Sequence, residues 1–296
     1  MRRCSLLLLL TAFVGAVPAR ADEAADKAKA HLAEQKKTAE ANWALLEIGD
    51  FAHLETEHFF LYAPKSLEKK LKDAGPLLES QYKTAHAVLK FPEMAEPWKG
   101  KVTVYLFAER AQFTAFVRRV EKRRLISGEI SSRVAADDKL HVAASPPSNK
   151  YDWPVEAEAA AEMASLMLER RAGTETVLPD WLDTGFGRAT YYRTMPKDAL
   201  TRDDRQLAAS LVSRKKKTAK DVWTGPLEAD EAGALGGALA DFFAYGPAAV
   251  HFEKMLEGFK PEENVATKTI DQALDKTKIN KDKIEPSWKS FVANPK

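Results

Sequence analysis

The chain has 296 residues, with 45 lysines and arginines against 43 aspartates and glutamates, and a single cysteine. A net charge of +2 argues against a nucleic-acid-binding domain, which ordinarily shows a strongly basic balance. With Cys4 alone, internal disulfides and multi-thiolate metal centres are excluded.

Arg2 and Arg3 precede an apolar run from Leu6 to Val17, and the small-residue pattern Ala19-Arg20-Ala21 follows. This is the pattern of a secretory signal peptide cleaved after Ala21, and the expected location is secreted or periplasmic. The run is shorter than the roughly 20 residues that span a bilayer, and no later segment comes close, so no transmembrane segment is expected. Cys4 lies before the apolar run rather than at its end, which argues against a lipid anchor. Cleavage would remove Arg2, Arg3 and Arg20 and no acid, leaving acidic residues in excess by one.

Residues 22–48 are rich in Ala, Lys and Glu and predict a peripheral helix. The stretch HLETEHFFLYAP, ending at Pro64, predicts a strand with His58, Phe60 and Tyr62 on one face and Phe59 and Leu61 on the other. Ser66 can cap a helix carrying Leu67 and Leu71. Gly75-Pro76 should break or kink it before Leu77, Leu78, Tyr82, Ala85 and Leu89 resume the helical spacing. KVTVYLF, residues 101–107, suits a strand covered on both faces. Phe113, Phe116, Val117 and Val120 mark the apolar side of the next helix. Residues 127–145 predict a hairpin turning at Asp137-Asp138, and from about residue 150 nearly everything predicts helix. The basic run Ser213–Asp221 lacks interleaved aromatic residues and is expected to be a solvated face or loop.

The segment EAEAAAEMASLML, Glu156–Leu168, carries the functional question. At 100° per residue, Glu158, Glu162, Ser165 and Glu169 fall in one narrow stripe, and the rest is Ala, Met or Leu. The helix should be buried nearly all round, its stripe facing a cleft or solvent. Ten residues on, LPDWLDTG places Pro179 and Asp180 ahead of Trp181 and Asp183 in an arrangement that starts a helix.

Together these segments resemble the peptidase-MA-like gluzincins, the zinc peptidases related to thermolysin and the aminopeptidases. Their signature is H-E-x-x-H on a buried helix, then P-x-W-L-x-E-G opening a second. Two histidines and the later glutamate hold zinc, and the glutamate between the histidines polarises the metal-bound water. The resemblance implies that Ala161, Ser165 and Thr184 stand at the three ligand positions and that Glu162 is the vestigial general base. The spacing from Ser165 to Thr184 matches an aminopeptidase-like branch. EHFFLYAP, KVTVYLFAERAQFTAFV, DFFAYGPAAVHFEKMLEGF and IEPSWKSFV extend the resemblance over nearly the whole chain. Tyr191 and Tyr192 lie two residues beyond the family's usual aromatic pair.

Alanine offers no donor, and neutral hydroxyls do not replace imidazole or carboxylate on Zn²⁺, so no metal and no cofactor are expected. Glu158, Glu162 and Asp183 sketch a carboxylate cluster of the kind that takes Ca²⁺ or Mg²⁺, but acidic pairs one turn apart ordinarily face water. The six histidines lie outside the motif. Tyr191, Tyr192, Tyr245 and His251 are further candidates for the cleft. Metallopeptidase clefts also bind extended peptide along an edge strand without help from the metal, and Leu140, His141, Val142, Ala143 and Ala144 are the expected edge.

The expected fold is α+β and gluzincin-like: a small N-terminal mixed sheet with helices over residues 49–150, then a mostly helical part over 151–296 carrying the degenerate zinc-site helices. The expected function is that of an exported, catalytically inactive metallopeptidase-like protein with a peptide- or protein-binding or a structural role, whose partner is an extended peptide or an envelope protein. The alternative is a hydrolase using Glu162 with Asp183 or His251, with an atypical metal or none.

Overall fold

The computed structural model describes residues 18–91, 96–149, 153–263, 265 and 267–294. Residues 1–17 of the expected signal peptide lie outside these; helix α1, Pro18–Ala44, begins within its last residues and runs on through the predicted N-terminal helix.

Strands β1 (Phe51–Glu55), β2 (Phe59–Pro64), β3 (Val102–Leu106), β4 (Ser131–Val134) and β5 (His141–Ala144) form one sheet in the order β1-β2-β3-β5-β4. β2, β3 and β5 are parallel, and the outer strands β1 and β4 are antiparallel to their neighbours. Long crossovers are needed between parallel strands. α2 (Glu68–Leu89) lies between β2 and β3, while α3 (Arg110–Arg119) and β4 lie between β3 and β5.

The sheet is covered on both faces, as the unbroken apolar strands require. Phe59, Leu61, Val102, Val104, Leu106 and Val142 enter the main core with α2 and α4 (Val155–Ala172). Phe60, Tyr62, Tyr105, Phe107 and Ala143 enter a second cluster with Trp43 of α1 and Phe113, Phe116 and Val117 of α3. The remaining helices are α5 (Asp180–Thr194), α6 (Ala199–Arg214), α7 (Ala219–Thr224), α8 (Ala229–Ala244), α9 (Phe252–Phe259), α10 (Ile270–Asp275) and α11 (Ile284–Ala293). The molecule is α+β, with a mixed sheet toward the N-terminus and helices after it. The change of character near residue 150 is one of secondary structure alone, because the main core runs continuously from β2 to α11.

Two local expectations need correction. The predicted strand through residues 53–64 is a hairpin turning at Thr56–His58, closed by Thr56 N–H to Phe59 O at 3.0 Å and Phe59 N–H to Thr56 Oγ1 at 3.2 Å. Gly75-Pro76 does not end α2, which continues through Pro76 with Ala74, Gly75 and Leu78 buried against the core.

Candidate functional site

The site forms where the acidic stripe of α4 passes beneath β4. Successive strand side chains alternate between faces. Ser131 and Arg133 therefore point toward α4, while Ser132 turns the other way and donates to Glu121 Oε1 at 2.6 Å. Ser131 Oγ lies 2.8 Å from Glu158 Oε1 and 3.0 Å from Glu162 Oε1. Arg133 Nη1 donates to Glu162 Oε2 at 2.6 Å and Nε to Glu169 Oε2 at 3.3 Å, and Nη2 donates to Asp183 Oδ2 across on α5. One guanidinium thus gathers three carboxylates from two helices and ties both helices to the edge of the sheet.

The electrostatics follow from that inequality. Burial alone would push the Arg133 guanidinium down, but Glu162 and Asp183 beside it hold its pKa above the ordinary arginine value. One positive charge does not neutralise three negative ones, and the shortfall falls on Asp183. Burial, opposed by Arg133 and reinforced by Glu162 and Glu169, raises Asp183 from 3.8 to about 6. Its Oδ1 is buried with no hydrogen-bond partner among the described residues, so nothing there offsets the cost of burying the charge.

A folded-state pKa above the unfolded one means that the native protein binds the extra proton. Asp183 therefore costs stability as pH rises from about 4 through 6, on the order of 3 kcal/mol once fully ionised. Asp183→Asn is expected to flatten the fall in urea-unfolding free energy between pH 4.5 and 7.5 by about 2 kcal/mol. An unchanged slope would show that Asp183 is ionised in the folded protein throughout.

The α4–α5 crossing brings two of the three degenerate ligand positions together. A methyl group on Gly187 of α5 would overlap the Ala161 carbonyl and come within 2.8 Å of Ser165 Oγ, so the helices meet backbone to backbone here. Ser165 is buried and donates to the Asp183 carbonyl at 2.7 Å. Ala161 packs with Trp153, Ala157, Tyr191 and Tyr192. Thr184 stands one turn before Gly187 and is exposed. These residues do not fit a zinc ion: one has no donor atom, one spends its hydroxyl proton on a carbonyl, and the third is a neutral hydroxyl.

Glu158, Glu162 and Asp183 do converge, with Glu169, but on Arg133 and Ser131. α5 starts at Asp180 after Pro179, as expected, but without a side-chain cap, because Asp183 spends its carboxylate on Arg133. The other cleft candidates lie elsewhere. Tyr192 donates to Asp204 at 2.9 Å, beside Arg188 stacked on Trp153, and Tyr191 packs against the same tryptophan. The Tyr245 hydroxyl meets Thr190 Oγ1 at 2.8 Å, about 10 Å along α5 from Asp183. Burial raises its pKa above the ordinary tyrosine value. His251 closes a short 3-10 turn, Ala249–His251, that packs on α8 and α9.

The expected edge strand also needs correction. Leu140–Ala144 is interior, with β5 paired to β3 on one side and to β4 on the other. The edge is β4. Ser145 N–H bonds Ile130 O at 2.9 Å, which continues the β4–β5 ladder. By antiparallel alternation the N–H and C=O groups of Ser131 and Arg133 then point outward. No family model matches the chain, and no curated protein matches it.

Ser131, Arg133 and Glu169 were not among the site residues expected from sequence. The available signal was the alternation of the predicted hairpin, which sets Ser131 and Arg133 on one face and makes Arg133 the one cation there able to meet an acidic stripe.

Proposed function

We propose that this chain is an exported metallopeptidase-like protein that performs no zinc chemistry at the α4–α5 crossing and binds extended peptide along β4. The observation that carries the reading is the Arg133 guanidinium seated among Glu162, Glu169 and Asp183, where the chain supplies its own cation to the acidic stripe. Glu162 is the residue that the gluzincin resemblance makes a general base. Its two oxygens are engaged by Ser131 and Arg133, which favours a fixed structural anion over a base poised on water. The outward main-chain groups of Ser131 and Arg133 support strand addition, in which backbone hydrogen bonds supply affinity and no metal takes part.

Fluorescence anisotropy with a library of labelled extended peptides tests the binding, alongside metal analysis of the purified protein and an assay on unfolded casein. The expected result is peptide binding that a chelator leaves unchanged, and no cleavage. Ser131→Pro removes one outward N–H at a position where an edge strand tolerates proline, and should weaken binding about tenfold with the circular dichroism unchanged. Near-stoichiometric zinc with metal-dependent cleavage would overturn the non-catalytic half of the reading. Unchanged binding in Ser131→Pro, or no binding by the parent protein, would overturn the other half.

A further inference from the structure

A second group of metal-ligating side chains lies at the opposite edge region of the sheet, where the β1–β2 turn meets α2. One imidazole nitrogen of His58 and one carboxylate oxygen each from Glu57 and Glu79 lie within 4.8 Å of one another. Two of the three are held rigidly. Glu79 Oε1 accepts the His58 backbone N–H at 2.9 Å, while Oε2 stands 2.7 Å from His58 Nδ1. The His58 ring stacks on Tyr82 with centroids 3.9 Å apart, which fixes the ring plane, and the Tyr82 hydroxyl is taken by Glu96 at 2.5 Å.

The geometry points to a divalent transition-metal site at Glu57, His58 and Glu79, with zinc as its first candidate. One imidazole and two carboxylates form a donor set that zinc accepts, leaving at least one position for water. Bonds of about 2.0–2.2 Å in a tetrahedral arrangement place ligand atoms roughly 3.3 Å apart. The His58–Glu79 pair is already near that spacing. The remaining contraction falls to Glu57, which is exposed and has rotamer freedom to move in. The Nδ1···Oε2 contact is a hydrogen bond that a bound cation would replace. The nearby Lys101 ammonium is occupied by Glu55 at 2.7 Å and the Thr56 carbonyl at 2.5 Å, on the other side of the turn. Neither the resemblance nor the acidic stripe enters this inference, since these residues lie outside the α4–α5 crossing.

The test is titration of the chelator-treated full chain with Zn²⁺ by calorimetry, and with Co²⁺ by visible absorption, which reports nitrogen and oxygen ligation directly. One equivalent of Zn²⁺ is expected to bind, more weakly as protons compete at lower pH. His58→Ala and Glu79→Gln should each lower affinity about tenfold or more, and Glu57→Gln less, with unchanged far-ultraviolet circular dichroism. Glu162→Gln should leave the affinity as it is. Absence of binding at millimolar Zn²⁺ would overturn the proposal, and so would binding that survives His58→Ala. Loss of binding in Glu162→Gln alone would move the ion to the α4 stripe and refute this site and the non-catalytic reading of the stripe in different ways. If His58→Ala fails to fold, Glu79→Gln with Co²⁺ absorption decides the matter.

Discussion

Arg133→Met is expected to lower the unfolding free energy by about 3 kcal/mol at pH 7.5. The side chain is 16% exposed and, among the described residues, is the one cation paired with Glu162, Glu169 and Asp183, so its removal leaves three partly buried carboxylates facing one another. Methionine keeps much of the arginine stem's volume, so the loss is electrostatic rather than a cavity. The sign of the pH dependence separates the two. Once the guanidinium is gone, Asp183 loses the charge that holds its pKa down, and the penalty shrinks as pH falls through the raised value. Urea unfolding at pH 7.5 and pH 5 should therefore show a larger gap between parent and variant at the higher pH. A gap below about 1 kcal/mol, or one independent of pH, would mean that the guanidinium is not the counter-ion of the stripe.

Gly187→Ala is expected to cost about 3 kcal/mol, at the upper end for an overpacked contact, because the added methyl meets the Ala161 backbone carbonyl rather than a flexible side chain. α5 has no room to retreat. On its other side a methyl at Gly185 would overlap the Gly236 carbonyl of α8, so the helix is gripped between two backbones. Thr184→Ala, on the same helix but exposed, is the matched control and should change stability by no more than about 0.5 kcal/mol. Equal urea midpoints for the two variants would show that α4 and α5 are not in close contact at residue 187.

The parts of this fold that were legible in the sequence are those fixed by local pattern. Val102–Leu106 alternates between two apolar faces, and both are covered. The Ala, Met and Leu of Glu156–Leu168 leave no solvent face beyond the acidic stripe, and α4 is buried accordingly. What could not be read depends on distant partners. The turn at Thr56–His58 contains no glycine or proline and is held instead by the Thr56 hydroxyl and by Glu79, 21 residues away on α2. Pro76 carries the signal of a helix end, yet burial of its neighbours outweighs the lost hydrogen bond. Strand order is not a local property, which is why β5 was mistaken for the edge although the hairpin itself was recognised. The acidic stripe was visible, but that its counter-ion would come from a strand 29 residues before Glu162 was not.

The layering of the sheet bears on how the chain emerges from a ribosome. Its lower surface is roofed at one end by α2, which is made between β2 and β3, but at the other by α4, which is made only after the last strand is complete. Until residues 155–172 have been synthesised, Val104, Leu106 and Val142 have no full cover, and a nascent chain paused near residue 150 presents them to whatever is nearby. A completed cover for this face of the sheet therefore requires the second half of the chain.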